Sequence, residues 1–175
     1  MHRIILTYPT PVEGEIEKIK SLISEGLYAL HVRKPNFSLE EMEEFLLKFT
    51  SQERKLFMLH SHHELVDKYS LKGYHISNWR SQEEMDEWYF YSTSCHSLEE
   101  LDTVQGEVDY AFLSPIFDSI TKQGYASKFA DVQLEKKACS VVALGGIKEE
   151  HVDRLKSQGF DGYALLGSVW QKEQV

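Results

Sequence analysis

The groups in this sequence that can bind a phosphate or move a proton cluster near predicted strand ends. Val141-Val142-Ala143-Leu144 reads as a strand buried on both faces, and Gly145-Gly146 stops it abruptly. Lys148 to Leu155 then reads as a helix with acidic residues in its first turn. A strand, two glycines and a helix start let an anion approach bare backbone N–H groups at the positive end of a helix. On this reading Gly145 and Gly146 help hold a phosphate. The bland reading is a tight turn.

Other candidates fit the same anionic chemistry. Arg33 follows an apolar strand, and its guanidinium can fork two phosphate oxygens; a surface ion pair is the plain alternative. Ser114 to Lys122 opens the longest loop, the kind that binds or covers a ligand, and Thr121 and Lys122 can donate to a leaving diphosphate. Ser94 can donate to a phosphate, or it can simply precede a helix start. Gly167 and Ser168 end the last strand and fall beside Gly145 and Gly146 if the strands are consecutive neighbours.

The imidazoles form a second set. His60-Ser61-His62-His63-Glu64 invites a metal reading, yet His62 and His63 point differently in an extended chain, so at most two share an ion. A polar rim is the alternative, and no metal ligands are assigned. His75 reads as a hydrogen-bonded core or rim histidine. His60 and His75 are candidate acid–base groups, because histidine titrates near neutrality. Cys95 and Cys139 lack metal spacing and suggest no disulfide framework, and Cys95 reads as a small apolar filler. No paired-carboxylate constellation stands out among the scattered aspartates.

The elements that must position these groups alternate regularly. Strands are expected near residues 3–7, 28–33, 55–60, 73–77, 89–94, 109–114, 141–144 and 163–166. Helical periods lie between them: Glu13–Glu25 with Gly26 as its cap, a capping box at Ser38-Leu39-Glu40-Glu41, a short turn at Leu65–Tyr69, Ser81–Trp88, a start at Ser97, and about Phe129–Ala138. Eight strand–helix units predict an α/β fold, a compact (β/α)8 TIM barrel in a single domain over 1–175, with trimmed helices. An open doubly wound sheet is the runner-up, because a barrel typically takes about 250 residues.

Composition narrows the function classes. The chain has 175 residues, 42% hydrophobic and 27% charged, with net charge −9. That balance and the lack of a basic stripe argue against nucleic acid, so a phosphate site must be a local basic pocket on an acidic body. No apolar run approaches transmembrane length, and the start reads as a strand, so a cytoplasmic protein with no membrane partner is expected.

Taken in order, the motifs resemble the thiamine phosphate synthase/TenI family. Leu30-His31-Val32-Arg33 resembles its strand-two arginine motif, and Gly73-Tyr74-His75-Ile76 its glycine-x-histidine-leucine strand. Ser94-Cys95-His96-Ser97-Leu98-Glu99-Glu100 resembles its serine-x-histidine segment. Asp109-Tyr110, Ser114-Pro115-Ile116-Phe117 and Thr121-Lys122 resemble its aspartate-tyrosine, proline-isoleucine-phenylalanine and threonine-lysine loop. Val142-Ala143-Leu144-Gly145-Gly146-Ile147 matches its glycine-glycine-isoleucine strand.

The resemblance implies a transferase of thiamine biosynthesis. Its reaction couples hydroxymethylpyrimidine diphosphate with thiazole phosphate and releases diphosphate. Arg33, Ser94 and Lys122 would then be catalytic, gripping the diphosphate. His31, Thr121, Gly145, Gly146, Gly167 and Ser168 would bind substrate, the last residues holding the thiazole phosphate. Mg²⁺ is the cofactor the family implies, but its asparagine–aspartate pair after strand three appears here as His60-Ser61, its second aspartate falls on Arg80, and the lysine expected two residues beyond Arg33 is Pro35, beside Lys34. A TenI-type thiazole tautomerase is the alternative, although its catalytic histidine would fall on Pro115. A catalytically silent binding protein for thiazole or thiamine phosphate is the third reading. Small phosphate substrates are the expected partners, with a possible homo-oligomer.

Overall fold

The computed structural model describes residues 1–79, 86–118, 127–135 and 137–170. The strands are β1 (His2–Leu6), β2 (Ala29–Val32), β3 (Phe57–Leu59), β4 (Gly73–His75), β5 (Phe90–Cys95), β6 (Tyr110–Leu113), β7 (Ser140–Ala143) and β8 (Gly162–Leu165). The helices are α1 (Glu15–Glu25), α2 (Leu39–Leu46), α3 (Ser51–Arg54), α4 (Glu64–Lys68), α5 (Leu98–Val104), α6 (Val152–Ser157) and α7 (Gly167–Trp170). The strand order is β1 to β8 in sequence, a closed barrel, and the observed pairs are parallel. This is the (β/α)8 class predicted above, with helices trimmed to one or two turns in most units. None of the described helices is long and apolar enough to cross a membrane.

The chain packs as two compact units, Arg3–Tyr91 and Met1–His2 with the chain from Ser92 onward. In the first, Ile4, Ile5, Leu30, Val32, Phe57, Met58 and Leu59 are fully buried. These strands read as continuous apolar runs because a parallel strand in this architecture is covered on both faces. Their register pairs Leu6 with His31 and His31 with Met58. The capping box of α2 forms as expected: Ser38 Oγ accepts from the Glu41 N–H at 3.2 Å, and Glu41 Oε2 accepts from the Ser38 N–H at 2.7 Å. The same box recurs at Thr50 and Glu53 in front of α3.

Gly73 is required by close approach. A Cβ there would stand 1.9 Å from the Phe90 carbonyl oxygen. In the second unit, β6 and β7 pair along Tyr110–Leu113 and Ser140–Ala143 with every register position apolar except Ser140. The His2 N–H donates to the Asp161 carbonyl at 2.8 Å, tying the first residue of β1 to the approach to β8.

Two expected helices differ. Residues 129–135 and 137–138 are not helical. Gln158 explains the difference: its Nε2 donates to the carbonyls of Ala130 at 2.7 Å and Val132 at 3.1 Å, and its backbone carbonyl accepts from the Leu134 N–H at 2.9 Å. Those contacts take backbone groups that a helix would need. The expected helix at Ser81–Trp88 falls largely outside the described residues, and Glu87-Trp88 form a turn in which the Trp88 N–H donates to Asp86 Oδ1. The helix expected from Lys148 begins as a 3₁₀ turn at Glu149–His151 and becomes α-helical at Val152.

Candidate functional site

In the first unit, Arg33 directly follows β2 and is exposed. Thr7, after β1, holds its backbone from both sides: Thr7 Oγ1 accepts from the Arg33 N–H at 2.9 Å and donates to the Arg33 carbonyl at 3.3 Å. Lys34 turns the other way. It is fully buried, with its Nζ 2.5 Å from Glu15 Oε1 and 3.2 Å from the Thr10 carbonyl. Burial lowers the Lys34 pKa, and the Glu15 partner opposes that shift. Lys34 is therefore a structural cation that fastens the start of α1 to the end of β2.

His31, on β2, is fully buried, and its Nδ1 lies 2.9 Å from His60 Nε2 just beyond β3. His60 stacks on His75 of β4 with ring centroids 4.0 Å apart and planes 20° apart. His31 stands edge-on to both rings, at 77° to His60 and 72° to His75. Three consecutive strands thus bring three imidazoles together, with one nitrogen from each lying within 4.8 Å of the others. Burial is the main reason all three stay neutral: it lowers His31 and His60 well below the ordinary value and takes His75 to about 3. The neighbouring charges of Arg33, felt by His60 and His75, and of Lys72, felt by His31, act in the same direction.

The local run from His60 to Glu64 does not assemble as a unit. His62 Nε2 meets the Phe37 carbonyl at 2.7 Å and His63 Nε2 the Leu59 carbonyl at 3.0 Å, so both are spent on backbone. Only His60 joins the cluster. The signal that sequence reading lacked was strand register, which aligns His31 with Met58 and Leu59 with Tyr74.

The second unit holds the glycine pair. Gly145 and Gly146 have φ of +95° and +66°, a region that side chains rarely adopt. A Cβ on Gly146 would meet the Asp118 carbonyl at 2.3 Å, and one on Gly145 the Cα of Pro115 at 2.9 Å. The loop after β6 lies directly on this pair: Ile116 N–H donates to Leu144 O and Phe117 N–H to Gly145 O, each at 3.0 Å. Close packing thus accounts for both glycines independently of any ligand. Ser168, at the start of α7, donates to the Ile147 carbonyl at 3.1 Å, so the end of β8 does sit against the end of β7. One N–H of the following turn is already taken, since the Lys148 N–H donates to His151 Nδ1 at 3.2 Å.

Ser94 is half-buried near the end of β5, in register with Phe112. Beside it in sequence lies a pair that sequence reading did not single out: Ser114 Oγ and His96 Nδ1, 3.1 Å apart at the ends of β6 and β5. Cys95 is buried and its thiol is pushed up to about 12, mainly by burial, which suits an inert filler. Thr121, Lys122 and Arg80 lie outside the described residues.

The thiamine monophosphate synthase family model matches residues 6–169. The chain belongs to that family. Among curated relatives, thiamine-phosphate synthase from Bacteroides fragilis is 22% identical over 184 residues, covering 95% of this chain and 90% of its own length. The enzyme of the same name from Dictyoglomus turgidum is 22% identical, covering 88% and 75%. A solved structure of thiamine phosphate pyrophosphorylase from Bacteroides thetaiotaomicron is 29% identical with a TM-score of 0.77, covering all of this chain and 88% of that one. The corresponding protein from Pyrococcus furiosus, 20% identical with a TM-score of 0.73, shares the fold. The family places the chain in thiamine biosynthesis.

Family membership also implies Mg²⁺, and the donor set can be tested for it. Mg²⁺ takes hard oxygen ligands in a strict octahedron. Where the family pattern implies an asparagine–aspartate pair after β3, this chain presents His60, already engaged with His31 and His75, and the Ser61 hydroxyl in place of the carboxylate. An imidazole nitrogen and a neutral hydroxyl do not supply the anionic oxygen ligand that Mg²⁺ takes.

Proposed function

We propose that this chain couples hydroxymethylpyrimidine diphosphate with thiazole phosphate, forming thiamine phosphate and releasing diphosphate. The observation that carries this reading is the family match over residues 6–169, a span that includes Arg33, Ser94, Gly146 and Ser168. In the reaction the bond between the pyrimidine methylene and the diphosphate oxygen breaks. The electron pair leaves with diphosphate, and the thiazole nitrogen forms the new C–N bond to the methylene, becoming a thiazolium.

Departing charge is the chief barrier in such an ionisation, so preorganised cationic donors do most of the work. Arg33 supplies two parallel donors whose origin Thr7 fixes by holding the backbone on both sides. Lys122 is assigned the leaving diphosphate and Ser94 a hydrogen bond to it. Thr121 and His31 complete the pyrimidine side. Gly145, Gly146, Gly167 and Ser168 are assigned the thiazole phosphate, where backbone N–H groups without Cβ neighbours can approach an anion.

Calorimetric titration tests the two halves separately. Inorganic diphosphate is expected to bind wild type and to lose affinity in Arg33→Ala, while thiazole phosphate binds both equally. Equal diphosphate affinity in wild type and Arg33→Ala would remove Arg33 from the reading.

A further inference from the structure

We propose that His31, His60 and His75 form a binding site for a divalent transition metal of the zinc type, with one imidazole nitrogen from each on the ion. The inference does not rest on the coupling reaction proposed above; it rests on the cluster itself.

Three features support it. The first is convergence: one nitrogen of each ring already lies within 4.8 Å of the others, and His31 Nδ1 and His60 Nε2 stand 2.9 Å apart. Two ligands of a tetrahedral ion with Zn–N bonds of about 2.05 Å sit about 3.3 Å apart. The rings therefore need movements well under a side-chain length. The second is donor type. Neutral imidazoles offer lone pairs, suit zinc, copper and nickel, and discriminate against Mg²⁺ and Ca²⁺. The third is support: two of the three side chains sit on β2 and β4, and the third follows β3 by one residue, so the backbone is fixed by the parallel ladder.

Binding has a definite structural consequence. An imidazole lone pair lies in the ring plane, so the His60–His75 stack must open for both rings to aim at one ion. That rotation is about χ2, a broad torsion with low barriers. The proton between His31 Nδ1 and His60 Nε2 must move to the outer nitrogen of its ring, a tautomer change that leaves both rings neutral. Three protein nitrogens leave a tetrahedral ion its fourth position for water or an anion. The nearby Arg33 and Lys72 charges favour an anion there. Next in the chain, the Ser61 hydroxyl oxygen is buried and makes no hydrogen bond among the described residues, a polar group with capacity to spare.

The test uses the full chain, free of any affinity tag and stripped with chelator, titrated with Zn²⁺ alone by calorimetry and with Co²⁺ alone by visible absorption. The expected result is a single saturable equivalent per chain, with the intense bands of tetrahedral Co²⁺, and no response to Mg²⁺. His60→Gln should weaken Zn²⁺ at least about tenfold by removing one of three ligands. His62→Asn, which removes a histidine bound to backbone, should bind as wild type does. Saturable binding that is equally tight in His60→Gln, or no saturable binding at all, would overturn the site. If the variants fail to fold by circular dichroism, X-ray absorption of Zn²⁺-loaded wild type decides: three imidazoles support the proposal and fewer contradict it.

Discussion

His31 Nδ1 lies 2.9 Å from His60 Nε2, with one ring fully buried on β2 and the other half-buried just past β3. A buried imidazole without a partner costs about 1 to 3 kcal/mol. Replacing His60 by alanine is therefore expected to remove the partner of His31 Nδ1 and lower unfolding stability in urea by roughly that amount. His60→Gln, which keeps a polar group at that place, should cost less. Equal losses in the two variants would show that the contact carries no stability.

The Lys34–Glu15 pair is the next most exposed to test. Both side chains are buried, and the distance is 2.5 Å. Removing one charge strands the other, which in buried pairs costs about 3–5 kcal/mol. Lys34→Met and Glu15→Gln should each cost on that order, and the double variant should cost less than their sum. Additive losses in urea unfolding would mean that the pair does not interact.

The two glycines Gly14 and Gly146 separate strain from crowding. Both have positive φ, +72° and +66°, but nothing lies within 4 Å of a Cβ on Gly14. Gly14→Ala should cost about 1 kcal/mol from backbone conformation alone. Gly146→Ala must also move the Phe117–Asp118 backbone, so it should cost about 2 kcal/mol more. It should also weaken thiazole phosphate in calorimetry. Matching losses at the two sites would show that the loop gives way freely.

Cys95 sets a pH expectation. Its folded value of about 12 exceeds the ordinary thiol value of 9.0. The unfolded chain therefore loses the proton first, and folding is favoured by the protonated thiol. That contribution is complete below pH 9 and is lost as pH rises from 9 toward 12, with a slope of up to about 1.4 kcal/mol per pH unit. Alkylation at pH 8 should spare Cys95 in the native protein and label it after unfolding. Rapid native labelling would contradict its burial.

Much of the fold is legible in the sequence because its signals are local. Alternation of apolar runs with capped amphipathic segments gives eight strands, and the Ser38–Glu41 box forms as its spacing predicts. The stretch after Phe129 misleads because Gln158, over twenty residues away, captures the carbonyls of Ala130 and Val132. The site divides in the same way. The exposed position of Arg33 is legible from its place after an apolar strand. The adjacent histidines draw attention to His62 and His63, which bind backbone. The imidazole cluster draws on residues 31, 60 and 75, and only the β2–β3–β4 register brings them together. Lys34 looks like Arg33's companion in sequence, yet the turn after β2 sends it to Glu15.

Arg33 carries the proposed catalysis. Arg33→Lys keeps the charge but loses the forked donors, and the expected drop in kcat/KM is about tenfold to a hundredfold; Arg33→Ala should reach about a thousandfold. Thr7→Val should fall between wild type and Arg33→Lys, acting by releasing the Arg33 backbone. A Thr7→Val loss as large as that of Arg33→Ala would give Thr7 a direct role instead.

The most direct measurement is product formation. The full chain is incubated with hydroxymethylpyrimidine diphosphate and thiazole phosphate, with and without added Mg²⁺, and thiamine phosphate and diphosphate are quantified. The coupling reaction predicts both products in equal amounts, without strong dependence on Mg²⁺ and with loss in Arg33→Ala. Thiazole phosphate binding without any thiamine phosphate would contradict it and make the chain a binding protein. Turnover that appears only with Mg²⁺ would contradict the reading of the strand-three and strand-four ends as a site unsuited to that ion.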